Sequence, residues 1–204
     1  MDEIRIETLD SGETDSFEKP NVFDDYTSLS NYRVFPSEKQ FFRFEIEACH
    51  DAFILLSASI DLKSQDFYEI CIGGSSNQIT FLRRKYNDFN QLKISTPNIL
   101  GCTEKSTFEI RWTLDGTIYL VKESAVGTET IIDWTDSIPL LIQGVGIMTG
   151  WGSDGIWIIE SSKYILAVVM IVEGIIEIIR KFVQRLQNLL NHQENPAAQQ
   201  DDKP

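Results

Sequence analysis

Between about residue 31 and residue 160, short apolar runs alternate with turn residues. In the first run, Phe42, Phe44, Ile46 and Ala48 alternate with charged neighbours, which predicts a strand with one buried and one solvated face. Similar runs predict further strands at residues 52–57, 67–72, 78–83, 108–113, 117–121, 130–133, 145–149 and 156–160. The spacers are too short or too rich in turn residues for the crossovers of a parallel sheet. The pattern therefore predicts an antiparallel β-sandwich.

A different pattern follows Glu160. Between residues 161 and 192 there is no proline, and strong apolar residues recur at alternating intervals of three and four. This spacing is the a/d register of a coiled coil. The predicted fold class is therefore mainly β, an antiparallel β-sandwich followed by one long C-terminal α-helix. The a and d positions are Ile165, Val168, Val172, Ile175, Ile179, Phe182, Leu186 and Leu189.

Three interpretations of this helix stay open. Isoleucine at a and d, with apolar e and g positions, favours a bundle, so the expected partner is the protein itself, as a trimer or larger. A helix packed on its own β domain would show a similarly broad apolar stripe. A membrane span is less favoured, because Glu173, Glu177 and Arg180 interrupt the roughly 20 apolar residues that a bilayer requires.

The two ends of the chain are polar. Residues 1–30, with Gly12, Pro20 and repeated Asp, Glu and Ser, predict a solvated lead-in, because they have too little apolar surface to offset the entropy of ordering. Residues 193–204 predict a polar tail. The chain is therefore divided into a lead-in (1–30), a β domain (31–160), an oligomerisation helix (161–192) and the tail (193–204).

Charge and cysteine content narrow the possible partners and location. The formal net charge of −13 argues against nucleic acid and against an anionic membrane surface as the main partner. Three cysteines are too few for a disulfide framework, and the charged start Met1–Arg5 lacks the apolar core of a secretory signal. Both features favour free thiols and a cytoplasmic location. With two histidines, no metal site is expected.

Several motifs of the β domain resemble one known family. They are YEICIGG at residues 68–74, STPNIL at residues 95–100, FEIRW at residues 108–112 and TGWGSDGIW at residues 149–157. Together they resemble the arthropod-type farnesoic acid O-methyltransferase domain over about residues 31–160. The family name implies transfer of a methyl group from S-adenosylmethionine to a sesquiterpene carboxylate.

The glycine-rich segments do not have the pattern expected of a site for S-adenosylmethionine. Such a site is commonly a glycine-rich turn between a parallel strand and a helix, with an acid for the ribose. Here Gly73-Gly74 opens a polar turn, and the glycines of residues 150–155 lead into another strand. We therefore predict no catalytic residue and no cofactor, with S-adenosylmethionine expected only if the methyltransferase alternative holds.

Four residues are the candidate ligand contacts. Trp151 is flanked by glycines, which suits stacking on a ring or a sugar face, and Asp154 would supply acceptors beside it. Asn77 follows a glycine pair, and Arg83 begins a basic cluster that could bind a carboxylate or a phosphate. The alternatives are structural. Trp151 could plug one end of the sandwich, Asn77 could close its turn through its amide, and Arg83 could be a solvated strand end.

Two acidic residues of the β domain also have competing interpretations. His50 and Asp51 are adjacent, and neighbours in a strand point to opposite faces. We therefore expect a turn in which Asp51 accepts backbone N–H bonds. Glu69 is expected on a solvated face, with burial as a partner of Arg83 as the alternative. The other tryptophans, Trp112, Trp134 and Trp157, are predicted core residues.

These observations favour a non-catalytic binding or scaffold module that is oligomerised through a C-terminal helical bundle. Joining several weak sites raises avidity by about 10²–10⁴ without any new contact. The ligand would be a carbohydrate, which would make the module lectin-like, or a small apolar carboxylate. The alternatives are the methyltransferase that the family name implies and a membrane-active oligomer that uses the apolar helix.

Overall fold

The computed structural model describes residues 2–11, 22–84, 91–161, 177, 179–185 and 187. By its internal contacts the chain divides into two units, Met1–Ser161 and Ser162–Pro204. In its described part, the first unit consists of strands joined by loops, by three short 3₁₀ turns (Val22–Asp25, Leu29–Tyr32 and Pro36–Glu38) and by one four-residue helical turn (Gly74–Asn77). Its strands are β1 (Asp2–Thr8), β2 (Thr27–Ser28), β3 (Phe41–Ala48), β4 (Ala52–Ser57), β5 (Phe67–Gly73), β6 (Ile79–Arg84), β7 (Leu92–Ser95), β8 (Ser106–Trp112), β9 (Thr117–Ser124), β10 (Gly127–Thr135), β11 (Gly144–Thr149) and β12 (Gly155–Ser161).

The strands form two six-stranded antiparallel sheets. Sheet A has the order β1-β12-β3-β8-β9-β10, and sheet B has the order β2-β11-β4-β5-β6-β7. The larger apolar cluster contains buried residues of both sheets, as the core of a β-sandwich does. Tyr68 of β5 and Trp134 of β10 meet edge to face across this core, with ring centroids 5.9 Å apart. The prediction of a mainly β, antiparallel architecture is confirmed.

The two sheets differ in how their outer faces are covered. In β3 buried and half-buried residues alternate along the whole strand, as its apolar pattern predicts. In β4, β5 and β11 every residue is buried, because sheet B carries a second apolar cluster on its outer face. This outer-face cluster consists of Tyr26, Phe53, Leu55, Leu62, Phe67, Cys71 and Met148, with Phe23 and Phe81 packed against it.

Nine strands follow the predicted runs, with bounds that agree within three residues. The three short or peripheral strands β1, β2 and β7 were not predicted. Two parts of the predicted solvated lead-in are folded instead. In residues 22–30, Tyr26 and Leu29 are buried. In residues 2–8, β1 pairs with β12 from Asp2 opposite Ser161 to Thr8 opposite Gly155. Ile6 of β1 is buried in the core. In β1 the alternation of apolar and charged residues allows a paired strand to form despite the high charge.

Two of the three cysteines are bonded to each other. Cys49 and Cys102 form a disulfide, and Cys71 is a buried free thiol. The prediction of free thiols is therefore wrong for Cys49 and Cys102. The two residues are 53 positions apart in sequence, and only the fold brings the end of β3 beside the β7–β8 loop.

The second unit is described in part. Residues 177, 179–185 and 187 are helical, and two predicted a and d positions among them, Ile179 and Phe182, are 56% and 61% exposed. The polar tail predicted at residues 193–204 lies outside the described residues. Within the part of the chain that the structure describes, no helix has the length and apolar character needed to span a membrane. The remaining predicted a and d positions of the helix also lie outside the described residues, namely Ile165, Val168, Val172, Ile175, Leu186 and Leu189.

Candidate binding site

One end of the sandwich collects the loops that follow β1, β3, β5, β7 and β11. Because neighbouring strands of both sheets are antiparallel, these five connections lie at the same end, as does the short turn between β9 and β10 (residues 125–126). We call this surface the loop end. It consists of residues 9–11, 49–51, 74–78, 96–105 and 150–154.

Unusual backbone conformations are concentrated at the loop end. Across the described residues, nine residues other than glycine have a positive φ, and six of these belong to the loop end. Such a conformation costs of order 1–3 kcal/mol and persists only where the surroundings enforce it, often at ligand sites. The six residues are Asp51, Ser75, Ser76, Asn77, Asn98 and Trp151.

Covalent and polar links hold the β3, β5 and β7 loops together. The disulfide joins Cys49, directly after β3, to Cys102 in the β7–β8 loop. The Asn77 amide forms two bonds with Leu100: its Nδ2 donates to the carbonyl oxygen at 2.9 Å, and its Oδ1 accepts the N–H at 3.1 Å. The turn after β5 is thus fixed to the same loop as Cys49.

Polar bonds also fix the loop between β11 and β12. The N–H of Gly152 donates to Oδ1 of Asp10 at 2.9 Å, and the N–H of Asp10 donates to Oδ1 of Asp154 at 2.8 Å. The hydroxyl of Ser153 accepts the N–H of His50 at 3.3 Å. The Trp151 loop is therefore tied to both the β1 and the β3 loops.

A cleft of about 510 Å³ opens between these loops and the outer face of sheet B. Its volume is within the range of roughly 300–1,000 Å³ that is typical of small-molecule sites. The cleft combines aromatic, hydroxyl and ionisable side chains. Its lining residues are His50, Asp51, Phe53, Ser75, Ser76, Phe81, Arg83 and Trp151.

Trp151 and Phe53 form the aromatic part of the cleft. Trp151 lies in a tight turn closed by the Ser153 N–H, which donates to the Gly150 carbonyl oxygen at 3.2 Å. The φ angles of Trp151 and Gly152 are 54° and 89°, as in a type I′ turn. The indole ring is 5.1 Å from the Phe53 ring and remains 41% exposed. Trp151 thus packs on the domain, as the structural alternative requires, and also presents surface to solvent.

His50 and Asp51 form the polar part. Nδ1 of His50 is 2.9 Å from Oδ2 of Asp51, and the Cys71 thiol lies 3.8 Å from Oδ1. Burial raises the pKa of Asp51, and the contacts with His50 and Cys71 oppose this rise. Burial also raises the pKa of Cys71 well above its usual value, so the thiol stays protonated and donates.

The expectation of a turn at His50 and Asp51 is confirmed, but its bonding differs from the prediction. The Asp51 carboxylate accepts bonds from side chains, whereas the Asp51 N–H donates to the Gly73 carbonyl oxygen at 3.1 Å. The φ of 52° at Asp51 brings together two side chains that an extended backbone would separate. The adjacent pair was visible in the sequence, but this conformation was not.

Arg83 lies on the sheet at the base of the cleft and is paired with Glu69 through its Nε. The Tyr26 hydroxyl donates to the other Glu69 oxygen at 2.5 Å. Glu69 is only 1% exposed, so the expected solvated face is wrong and the alternative, a buried partner of Arg83, is correct. The outer-face cluster covers this carboxylate, and a buried charge needs such partners.

The four sequence-predicted contacts do not share one site. Trp151 and Arg83 line the cleft. Asp154 lines a neighbouring depression of about 460 Å³, and the Asn77 side chain is engaged with the β7–β8 loop. Sequence reasoning missed Ser75 and Ser76, whose signal is a run of small polar residues directly after a glycine pair.

Residues 19–163 match the family model described as farnesoic acid O-methyl transferase. The chain belongs to this family. No curated protein matches this farnesoic acid O-methyl transferase family member. The match to the family model confirms the resemblance noted in the sequence motifs over the whole of residues 31–160.

Three solved structures have a distantly similar chain trace. A native glycosidic hydrolase is 10% identical with a TM-score of 0.42, and the match covers 59% of this chain and 64% of that chain. The chain thus spans just under two thirds of that protein. The Bacillus licheniformis beta-glucanase is 9% identical, with a TM-score of 0.44 and 79% of each chain covered. A prokaryotic beta-1,3-1,4-glucanase (lichenase) derived from a mouse hindgut metagenome is 10% identical, with a TM-score of 0.43. The match covers 78% of this chain and 79% of that chain.

The farnesoic acid O-methyl transferase name implies S-adenosylmethionine, and the glycine turn after β5 does not fit its nucleoside. A Cβ at Gly73 would lie 2.8 Å from Cδ1 of Leu100 and 2.9 Å from Oδ1 of Asn77. The space that this glycine leaves is therefore filled by the chain itself. Asp51, an acid at the same end of the sandwich, is buried and bonded to His50. No step of methyl transfer follows from these residues.

Proposed function

We propose that this farnesoic acid O-methyl transferase family member is a non-catalytic binding module, oligomerised through its C-terminal segment as a trimer or larger. Its ligand site is the loop-end cleft, and its ligand is a carbohydrate, as in a lectin, or a small apolar carboxylate. The observation that supports this most is Trp151, a large aromatic residue held partly exposed in a strained turn and lining the same cleft as several polar side chains.

The links between the loops support a binding role. A site whose loops are already fixed loses less conformational entropy when a ligand binds, which raises affinity. Here the disulfide and the Asn77, Asp10 and Ser153 contacts fix the loops that carry the lining residues. An ordinary sandwich end requires no such set of links.

A glycan array with the full chain tests the site. Trp151→Ala removes the exposed indole, so bound glycans should lose their signal. Tyr32→Ala is the matched control, because Tyr32 is an aromatic residue of similar exposure, 40%, outside the loop end. Equal signals from wild type and Trp151→Ala would contradict the proposed site.

The apolar positions of the second unit support oligomerisation. Ile179 and Phe182 are helical and exposed, and burial of such side chains against another copy would be favourable by about 1.5–3 kcal/mol each. Light scattering on the full chain should give the mass of a trimer or larger. Ile179→Asn with Phe182→Asn should lower that mass, and Arg180→Ala, on the polar face, should not. A monomeric wild type at micromolar concentration would contradict the bundle.

The disulfide supports a proposal about the compartment in which the protein acts. Disulfides persist in oxidising compartments and are rare in the cytosol, so the Cys49–Cys102 bond supports a site of action outside the reducing cytosol. This proposal replaces the cytoplasmic expectation, which was based on the small number of cysteines and on the charged start of the chain.

Family membership favours a second candidate, S-adenosylmethionine-dependent methylation of a sesquiterpene carboxylate. Calorimetry with the full chain and millimolar S-adenosylmethionine tests it directly. Binding, together with formation of the methyl ester of farnesoic acid, would establish this candidate. Absence of both would leave the binding module.

A further inference from the structure

We infer that the ligand of the loop-end cleft is an uncharged, polyhydroxylated ring, that is, a neutral carbohydrate and not a carboxylate. This inference rests on the proposed function, and it decides between the two ligand classes that the proposal contains. It is based on the charges, the hydrogen-bonding groups and the apolar surface of the cleft.

The charges of the cleft disfavour an anion. Arg83 is paired with the buried carboxylate of Glu69, and His50 is paired with Asp51. Among the lining residues, a ligand carboxylate would therefore meet one acid, Asp51, and one permanent cation, Arg83, whose charge is already balanced by the buried Glu69. The chain as a whole carries a formal charge of −13, which adds long-range repulsion for an anion.

The hydrogen-bonding groups suit hydroxyls. Nδ1 of His50 is engaged with Oδ2 of Asp51, which leaves Nε2 for a ligand; in the tautomer that carries its proton on Nδ1, Nε2 is an acceptor. A ligand hydroxyl can donate to this nitrogen, whereas a carboxylate would place its lone pairs against another lone pair. Ser75 and Ser76, which line the same cleft, can each donate to or accept from a hydroxyl.

The apolar surface suits a flat ring better than a long chain. Phe53 is 3% exposed and belongs to the filled outer-face cluster. A sesquiterpene tail would need an apolar channel, and the cluster fills the corresponding volume with its own side chains. Trp151 offers an exposed aromatic surface, on which the C–H face of a sugar ring can stack while its hydroxyls reach polar groups.

Matched pairs of sugars test the inference. The full chain is titrated by calorimetry and by saturation-transfer NMR with glucose against glucuronate and galactose against galacturonate, each at concentrations up to about 10 mM, and with farnesoate. Within each pair, the acid differs from the sugar by a carboxylate in place of a hydroxymethyl group. We expect the neutral sugar to bind at least about tenfold more tightly than its acid in at least one pair.

Variants assign this binding to the cleft. Trp151→Ala should abolish it, His50→Ala should weaken it about tenfold through the lost acceptor, and Tyr32→Ala should leave it unchanged. Trp151→Gly suits the left-handed backbone at this position and is used if Trp151→Ala fails to fold.

The outcomes distinguish a wrong ligand class from a wrong binding site. A preference for a uronate or for farnesoate that Trp151→Ala abolishes would overturn the carbohydrate inference and leave the proposed binding site intact. Absence of any binding, or binding that neither Trp151 variant changes, would overturn the proposed function as well.

Discussion

The Cys49–Cys102 disulfide closes a loop that contains β4, β5, β6 and β7, which are four of the six strands of sheet B. Replacing both cysteines by serine removes this constraint from the unfolded chain and leaves the buried Cys71 in place. With the bonded positions 53 apart in sequence, the chain-entropy relation gives about 14 cal/mol/K, or about 4 kcal/mol at room temperature. That loss is a large part of the stability of an ordinary domain.

Urea denaturation of the full chain, followed by tryptophan fluorescence, measures this loss. With a denaturant slope of about 2 kcal/mol/M, the double variant should unfold at a urea concentration about 2 M lower than the oxidised wild type. Reductant should lower the wild-type midpoint by a similar amount, and it should not move the midpoint of Cys49→Ser with Cys102→Ser.

Thiol counting gives an independent check. Alkylation of the unfolded, non-reduced wild type should modify Cys71 alone, and alkylation of the folded protein should modify none of the three cysteines. A midpoint shift equivalent to less than about 1 kcal/mol, or three modified thiols in the unfolded protein, would refute the reasoning.

Three further predictions concern buried or strained side chains. Glu69→Ala should cost about 3–5 kcal/mol, because it leaves the Arg83 charge without its buried partner; urea denaturation measures this, with the exposed Glu129→Ala as control. Ser76 has a φ of 58°, a left-handed conformation that glycine adopts easily and valine does not. Ser76→Gly should therefore unfold at the same or a higher temperature than wild type, and Ser76→Val should lose at least about 1 kcal/mol of unfolding free energy. The reverse order of stability would contradict the left-handed backbone. Burial raises the pKa of Tyr68 to about 12, so the folded protein keeps a proton that the unfolded chain loses near pH 10. Stability should therefore be intact below about pH 10 and fall by roughly 2–3 kcal/mol as the pH rises to about 12; Tyr68→Phe should remove this dependence, and a variant that titrates like wild type would disprove it.

The strands were predictable where local alternation is strong. Phe42, Phe44 and Ile46 follow a period of two, and this pattern alone indicates β3 and its buried face. Strand β1 follows the same period through Ile4 and Ile6, but its high charge suggested a solvated segment. Its pairing partner β12 lies at the other end of the domain, and no local pattern shows that pairing.

The site was predictable only where one residue type and its neighbours suffice. Trp151 was indicated by its flanking glycines, which leave an aromatic ring with little cover. Glu69 was assigned to the wrong face, because its burial depends on Tyr26 and the other members of the outer-face cluster. The role of Asn77 likewise depends on Leu100, which is distant in sequence, so no local rule reveals it.

The position of β12 in sheet A has a consequence for biosynthesis. This strand is the last of the domain to leave the ribosome, yet it lies between β1 and β3. Until residue 161 has emerged, β1 lacks its partner and β3 keeps an unpaired edge, and both are open to wrong pairing with other nascent chains. The domain can therefore complete its fold only after its final strand has been translated. Premature termination before Gly155 would release an aggregation-prone fragment and not a smaller version of the sandwich.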